Sequence, residues 1–280
     1  MGDSQRFVKL GLVVRRVWAV ASVHAEIGRL AELHDKIGVR FRPGDRLIYL
    51  GNMIGRGRFV AETIDELLAF RRALLAVPGV MVADVVYLRG GQEEMWQKLL
   101  QLQLAPNPKE IIAWMLSQGV GTTLDAYGSS AEQAVAAARD GVRTITRYTG
   151  ALRTAMRDRP GHETLFSALR RAAFTGSPQA SPEPESIPNQ DGLLLVNSGF
   201  DISRPFESQG DAFWWGADQF STIDRRYGGF ARIVRGYDPS EGGVSVDTYT
   251  TTLDGGCGFG GKLVCGCLSP SGELLETIET

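Results

Sequence analysis

The 280-residue chain has little cysteine, no long apolar run and no excess of either charge. Its three cysteines, Cys257, Cys265 and Cys267, are odd in number and bunched, so they form no disulfide framework and fit a reducing, cytoplasmic setting. No uninterrupted apolar stretch approaches the ~20 residues that cross a bilayer, and Met1 to Phe7 has neither the basic start nor the apolar core of a signal peptide. Thirty Lys plus Arg against 32 Asp plus Glu leave a net charge of −2, and basic residues occur as isolated pairs such as Arg15-Arg16 and Arg170-Arg171. Binding that rests on phosphate neutralisation along a nucleic acid needs a concentrated basic surface, so no nucleic-acid partner is expected, and no membrane partner either. What the chain has is 43% hydrophobic and 22% charged residues, an ordinary globular balance. A chain this long buries enough surface to fold without metal or disulfide staples.

Apolar runs at 17–23, 46–51 and 82–88 alternate with amphipathic helical patterns at 27–37 and 63–75, which predicts parallel strands covered by helices. After Arg89-Gly90-Gly91-Gln92-Glu93-Glu94 the chain is expected to turn helical at Met95 and to stay mostly helical to 173 as an insertion. Residues 175–192 carry Pro178, Pro182, Pro184 and Pro188 and read as a surface loop. Strand-like segments at 193–196, 231–235, 244–247 and 262–267, separated by glycines, make the last third predominantly β. The glycines between 255 and 261 read as a hairpin turn, since no Lys-Ser or Lys-Thr follows as in a phosphate loop.

The strand-end loops are Ala21-Ser22-Val23-His24-Ala25, Gly51-Asn52-Met53-Ile54-Gly55-Arg56-Gly57 and Gly90-Gly91-Gln92-Glu93. Later come Val196-Asn197-Ser198-Gly199, Phe213-Trp214-Trp215 and Val234-Arg235-Gly236-Tyr237. In order and context they resemble the motifs of the calcineurin-like metallophosphoesterases, nearest to the bacterial serine/threonine phosphatase and diadenosine tetraphosphatase branch. The likeness spans nearly the whole chain and extends to segments without catalytic duty, such as Gly44-Asp45-Arg46-Leu47 and Leu124-Asp125-Ala126-Tyr127-Gly128. It implies a single four-layer α/β domain over residues 1–280, two mixed β-sheets flanked by helices, with the 95–173 insertion inside it.

The resemblance carries over fold more fully than activity. Positions that hold two metals in that family correspond here to Ser22, His24, Asn52, Gly91, Asn197 and Tyr237, and only His24 keeps the family's residue. The proton-donating histidine corresponds to Gln92, and the carboxylate that orients it to Gly55. Two-metal hydrolysis needs cations ~4 Å apart, and anionic carboxylates offset that charge; a hydroxyl, two amides, a phenol and one imidazole hold such a pair poorly. Neutral residues also remove the repulsion that a carboxylate cluster suffers without metal. The expectation is therefore a catalytically impaired, cofactor-free member that binds a phosphorylated protein or small phosphorylated ligand. Arg56 would supply a planar donor fork to the phosphate, and Arg89 would either add to that positive floor or pair with Glu93 or Glu94. The alternative is an active phosphatase or nucleotide phosphoesterase with manganese or another divalent metal in an altered site, recruiting Glu26, Glu93, Asp238 or Asp247.

Overall fold

The computed structural model describes residues 6–11, 13–176 and 192–280. Apart from its ends, the proline-bearing loop expected at 175–192 lies outside the described residues, as do Met1 to Gln5. Two mixed sheets form the centre. The strands are β1 (Phe7–Lys9), β2 (Val17–Val20), β3 (Arg46–Tyr49), β4 (Val85–Tyr87), β5 (Ala172–Phe174), β6 (Gly192–Val196), β7 (Phe230–Arg235), β8 (Ser245–Val246), β9 (Thr250–Thr252), β10 (Val264–Leu268) and β11 (Leu274–Glu279). One sheet runs β11-β10-β2-β3-β4 and the other β1-β5-β6-β7-β9-β8. β2, β3 and β4 are parallel, so the loops that leave their C-terminal ends emerge together.

Strand alternation decides which side chain enters which layer. In β2, Val17 and Ala19 face the space between the sheets while Trp18 and Val20 face the helices. In β3, Ile48 points inward and Leu47 and Tyr49 outward. Leu193 and Leu195 of β6 meet them from the second sheet, and Leu194 and Val196 face the opposite way into an aromatic layer with Phe206, Phe213, Trp214 and Phe220. Three apolar layers result.

The helices are α1 (Ile27–Gly38), α2 (Val60–Leu75), α3 (Gly91–Leu99), α4 (Pro108–Ser117), α5 (Gly121–Ala126), α6 (Ala131–Asp140), α7 (Val142–Arg157), α8 (His162–Ala168) and α9 (Ala212–Trp215). α1 and α2 cover the first sheet, and α3 to α8 occupy the stretch read as an insertion. The outer face of the second sheet is covered by α9 and short helical turns at 206–208 and 220–222. Asp45, in a stretch without catalytic duty, is fully buried as a brace: its carboxylate accepts from Arg16, Trp18 Nε1 and the Arg42 amide.

Local structure departs from the sequence reading in two places that shape the site. The strand expected over 82–88 is a helical turn at Val82–Asp84 followed by only Val85–Tyr87. The Asp84 carboxylate accepts from the Met81 amide at 2.8 Å and pairs with Arg46 at 2.9 Å, which curls the chain before the strand begins. The helix expected from Met95 starts at Gly91, because Glu93 accepts from the Gly90 amide at 2.8 Å and caps it. Gln92 and Glu93 are therefore helical.

Candidate functional site

The first two loops are zipped by their backbones. The amides of Val23 and His24 both donate to the Asn52 carbonyl, at 3.0 and 2.8 Å, that of Ala25 donates to Met53 at 2.9 Å, and that of Gly57 donates to His24 at 2.9 Å. Threading the chain through these bonds forces left-handed backbone on residues with side chains. His24, Ala25, Asn52 and Arg56 have φ of 50°, 59°, 52° and 60°, four of the five such non-glycine residues among those described. Each costs about 1 kcal/mol or more, and strain of this kind collects at functional sites.

Glu93 locks the third loop to the second. Its buried carboxylate accepts from the amides of Asn52 (2.8 Å), Met53 (2.7 Å), Ile54 (3.2 Å) and Gly90 (2.8 Å). Burial pushes its pKa up and the four amides pull it down. With its oxygens so engaged, Glu93 braces the cleft from behind.

Six positions picked out in the sequence, together with Gln92, meet at these loop ends. Asn52 Oδ1 accepts from the Gln92 amide at 3.0 Å, and Asn197 Nδ2 donates to the Leu50 carbonyl at 2.7 Å. A Cβ on Gly90 would stand 2.4 Å from Asn52 Oδ1 and 2.8 Å from Asn197 Nδ2, so only glycine lets three loops approach so closely. The Ser22 amide donates to the Gly236 carbonyl at 3.0 Å, which brings Tyr237 over the first loop, its ring 5.7 Å from that of His24 and edge-on. Gly91 faces the Trp215 ring, whose atoms lie 3.0 Å from where its Cβ would be. Gln92 donates from Nε2 to the Gln118 carbonyl at 2.7 Å and fills the space above Gly55.

Polar atoms without partners are concentrated here. Ser22 Oγ, both ring nitrogens of His24, Arg56 Nε, Gln92 Oε1 and Asn197 Oδ1 make up six of the ten such buried side-chain atoms among the described residues. Each costs about 1–3 kcal/mol when left unpaired, so the loop cluster is poised to accept a polar group. Burial, and then the charge of Arg56, push the His24 pKa down to about 3, so its imidazole is neutral at ordinary pH. Burial raises the Tyr237 phenol, and the same guanidinium acts in the opposite sense.

Arg56 is half-buried, its amide donating to Gly119 at 3.0 Å and its guanidinium 4.2 Å over the Phe259 ring. The two roles left open for Arg89 resolve geometrically: Nη1 pairs with Glu94 Oε2 at 2.9 Å.

Sequence reasoning missed an aromatic rim. Phe259, 40% exposed in the glycine-rich turn, stands edge-on to His24 at 5.7 Å as well as under Arg56. Of the two adjacent tryptophans, Trp214 is buried, whereas Trp215 is 46% exposed and meets Trp114 of α4, equally exposed, at 5.8 Å. Bulky aromatics among glycines, and on an exposed helix face, were the available signal.

The six positions bring no carboxylate to the cleft. Around His24 the donors are a hydroxyl, two amides and a phenol, with Gly91 contributing none. Of the acids that could form a rearranged site, Glu93 is spent on amides and Asp238 pairs with Arg235 at 2.7 Å. Among the described residues no group of three or more His, Cys, Asp or Glu stands where it could hold a metal ion.

No protein-family model matches the chain, and no curated protein sequence does. Solved structures do. A protein assigned as a diadenosine tetraphosphatase superposes with a TM-score of 0.55 at 15% identity, over 98% of this chain and 97% of that one. A Saccharomyces cerevisiae serine/threonine phosphatase with similarity to human phosphatase PP5 gives 0.48 at 11% identity, over 98% and 82%. The first match, with the two helix-flanked sheets, gives the chain a metallophosphoesterase-type fold.

Proposed function

We propose that the protein is a pseudophosphatase: it binds a phosphorylated protein or small phosphorylated ligand at the loop cluster and does not hydrolyse it. The observation that carries this reading is Arg56, held in strained left-handed backbone with a partnerless Nε and a guanidinium resting on Phe259. A planar donor fork suits phosphate oxygens, and stacking fixes its plane before the ligand arrives. Ser22 and Asn197 present uncharged polar atoms in the same loop cluster, and neutral His24 adds no competing charge.

Hydrolysis would need what these residues do not offer. The amide of Gln92 cannot protonate a leaving group. No carboxylate replaces Ser22 or Asn52 to balance a pair of cations, so binding would proceed without a resident metal.

The test is a titration with an aryl phosphate and a phosphoserine peptide, read by fluorescence of Trp114 and Trp215 and by phosphate release with and without manganese. Saturable binding that Arg56→Ala weakens at least tenfold, with release at background, is expected. Ser22→Asp alone should not create turnover, because catalytic groups that act as a unit are non-additive. Recovery should need Asn52→Asp, Gly91→Asn, Gln92→His, Asn197→His and Tyr237→His as well. Metal-dependent turnover by the unaltered protein, abolished in Arg56→Ala, would establish the alternative, a working phosphoesterase with a rearranged site.

A further inference from the structure

Away from the loop cluster a cavity of about 300 Å³ opens between α2, the 82–84 turn, the edge strand β4 and α8. Its walls are apolar: Leu68, Val85, Val86 and Leu165 line it, and Tyr87 closes one side. Val82, also in the lining, is 64% exposed, so the apolar wall reaches the surface. Two cations share the lining, Arg71 from α2 and Arg170 just after α8, and no acidic residue does. Neither forms an ion pair among the described residues; Arg170 spends one nitrogen on the carbonyls of Ala168 and Leu169, and Arg71 has no hydrogen-bond partner there. None of the loop-cluster residues lines this cavity.

We propose that this cavity is a second ligand site, for a medium-chain alkyl carboxylate. An apolar pocket with a few convergent polar groups is the usual form of a small-molecule site. Taking about 30 Å³ per heavy atom, the space suits a chain of roughly ten atoms. Unpaired guanidiniums over an apolar floor select an anionic head on an apolar tail: the carboxylate supplies the charge that the lining lacks, and the tail removes aliphatic surface from water.

Calorimetric titration of the full chain with decanoate and with decanol, its uncharged counterpart, tests this. Decanoate is expected to bind saturably at one site, and decanol at least tenfold more weakly. Arg71→Gln with Arg170→Gln should weaken decanoate at least tenfold, while Arg56→Ala binds it as wild type does, which separates this site from the phosphoryl site. Equal affinity for acid and alcohol, no saturable binding, or full affinity in the double glutamine variant would each overturn the proposal. If that variant folds poorly, the acid-against-alcohol comparison on the unaltered chain still decides.

Discussion

Unfolding the protein at different pH isolates His24. Its folded pKa, near 3, lies below the ordinary 6.5, so on acidification the unfolded chain takes up the proton first. The stability that neutral His24 contributes is therefore complete above about pH 6.5 and is lost as pH falls toward 3, at up to about 1.4 kcal/mol per pH unit. Replacing it by Asn, which tolerates left-handed backbone, should flatten that loss relative to wild type, as urea midpoints at about pH 7 and about pH 5 would reveal. Identical pH profiles would mean that His24 is not held neutral. Gly57 offers a steric counterpart: an added Cβ would lie 2.3 Å from the His24 carbonyl, a backbone atom that cannot swing aside. Gly57→Ala should cost about 2 kcal/mol in a denaturant titration.

Glu93 binds one element to another, so its removal should act on both. Glu93→Ala strands four buried amides and is expected to cost at least about 3 kcal/mol; Glu93→Gln keeps an acceptor oxygen and should cost less, and the order of their melting temperatures checks this. Elements of this size also show where sequence was informative. The apolar runs of Val17 to Val20 and Arg46 to Tyr49 announced both strands, because a strand covered on both sides is apolar throughout; which residue enters which layer was not legible in such a run. The three-residue strands β1 and β5 carry too little pattern to register and exist through pairing with each other and with β6. Within the site, loop positions could be aligned by motif. The early start of α3 depended on a side chain reaching back to Gly90, and the place of Phe259 depended on a turn more than 200 residues from His24; neither is written in a local window.

For the whole molecule the expected response to metal is none. A ligand that binds only the folded state adds about 2.7 kcal/mol at a hundredfold above its dissociation constant, a shift of several degrees. Melting curves with chelator and with manganese should coincide within about 1 °C; a clear rise with manganese would place a cation in the fold. The topology has a further bearing on how the molecule is made. β2 pairs on one flank with β3, which follows shortly, and on the other with β10, Val20 facing Cys265. During synthesis three apolar parallel strands are thus complete while one flank of β2 is still bare, the kind of open strand that invites pairing with other chains and recruits chaperones. The Ala21 amide, which must donate to the Val264 carbonyl at 2.9 Å, has no partner until then, so Ser22 and His24 cannot be set in place on the ribosome before residues 264–268 emerge.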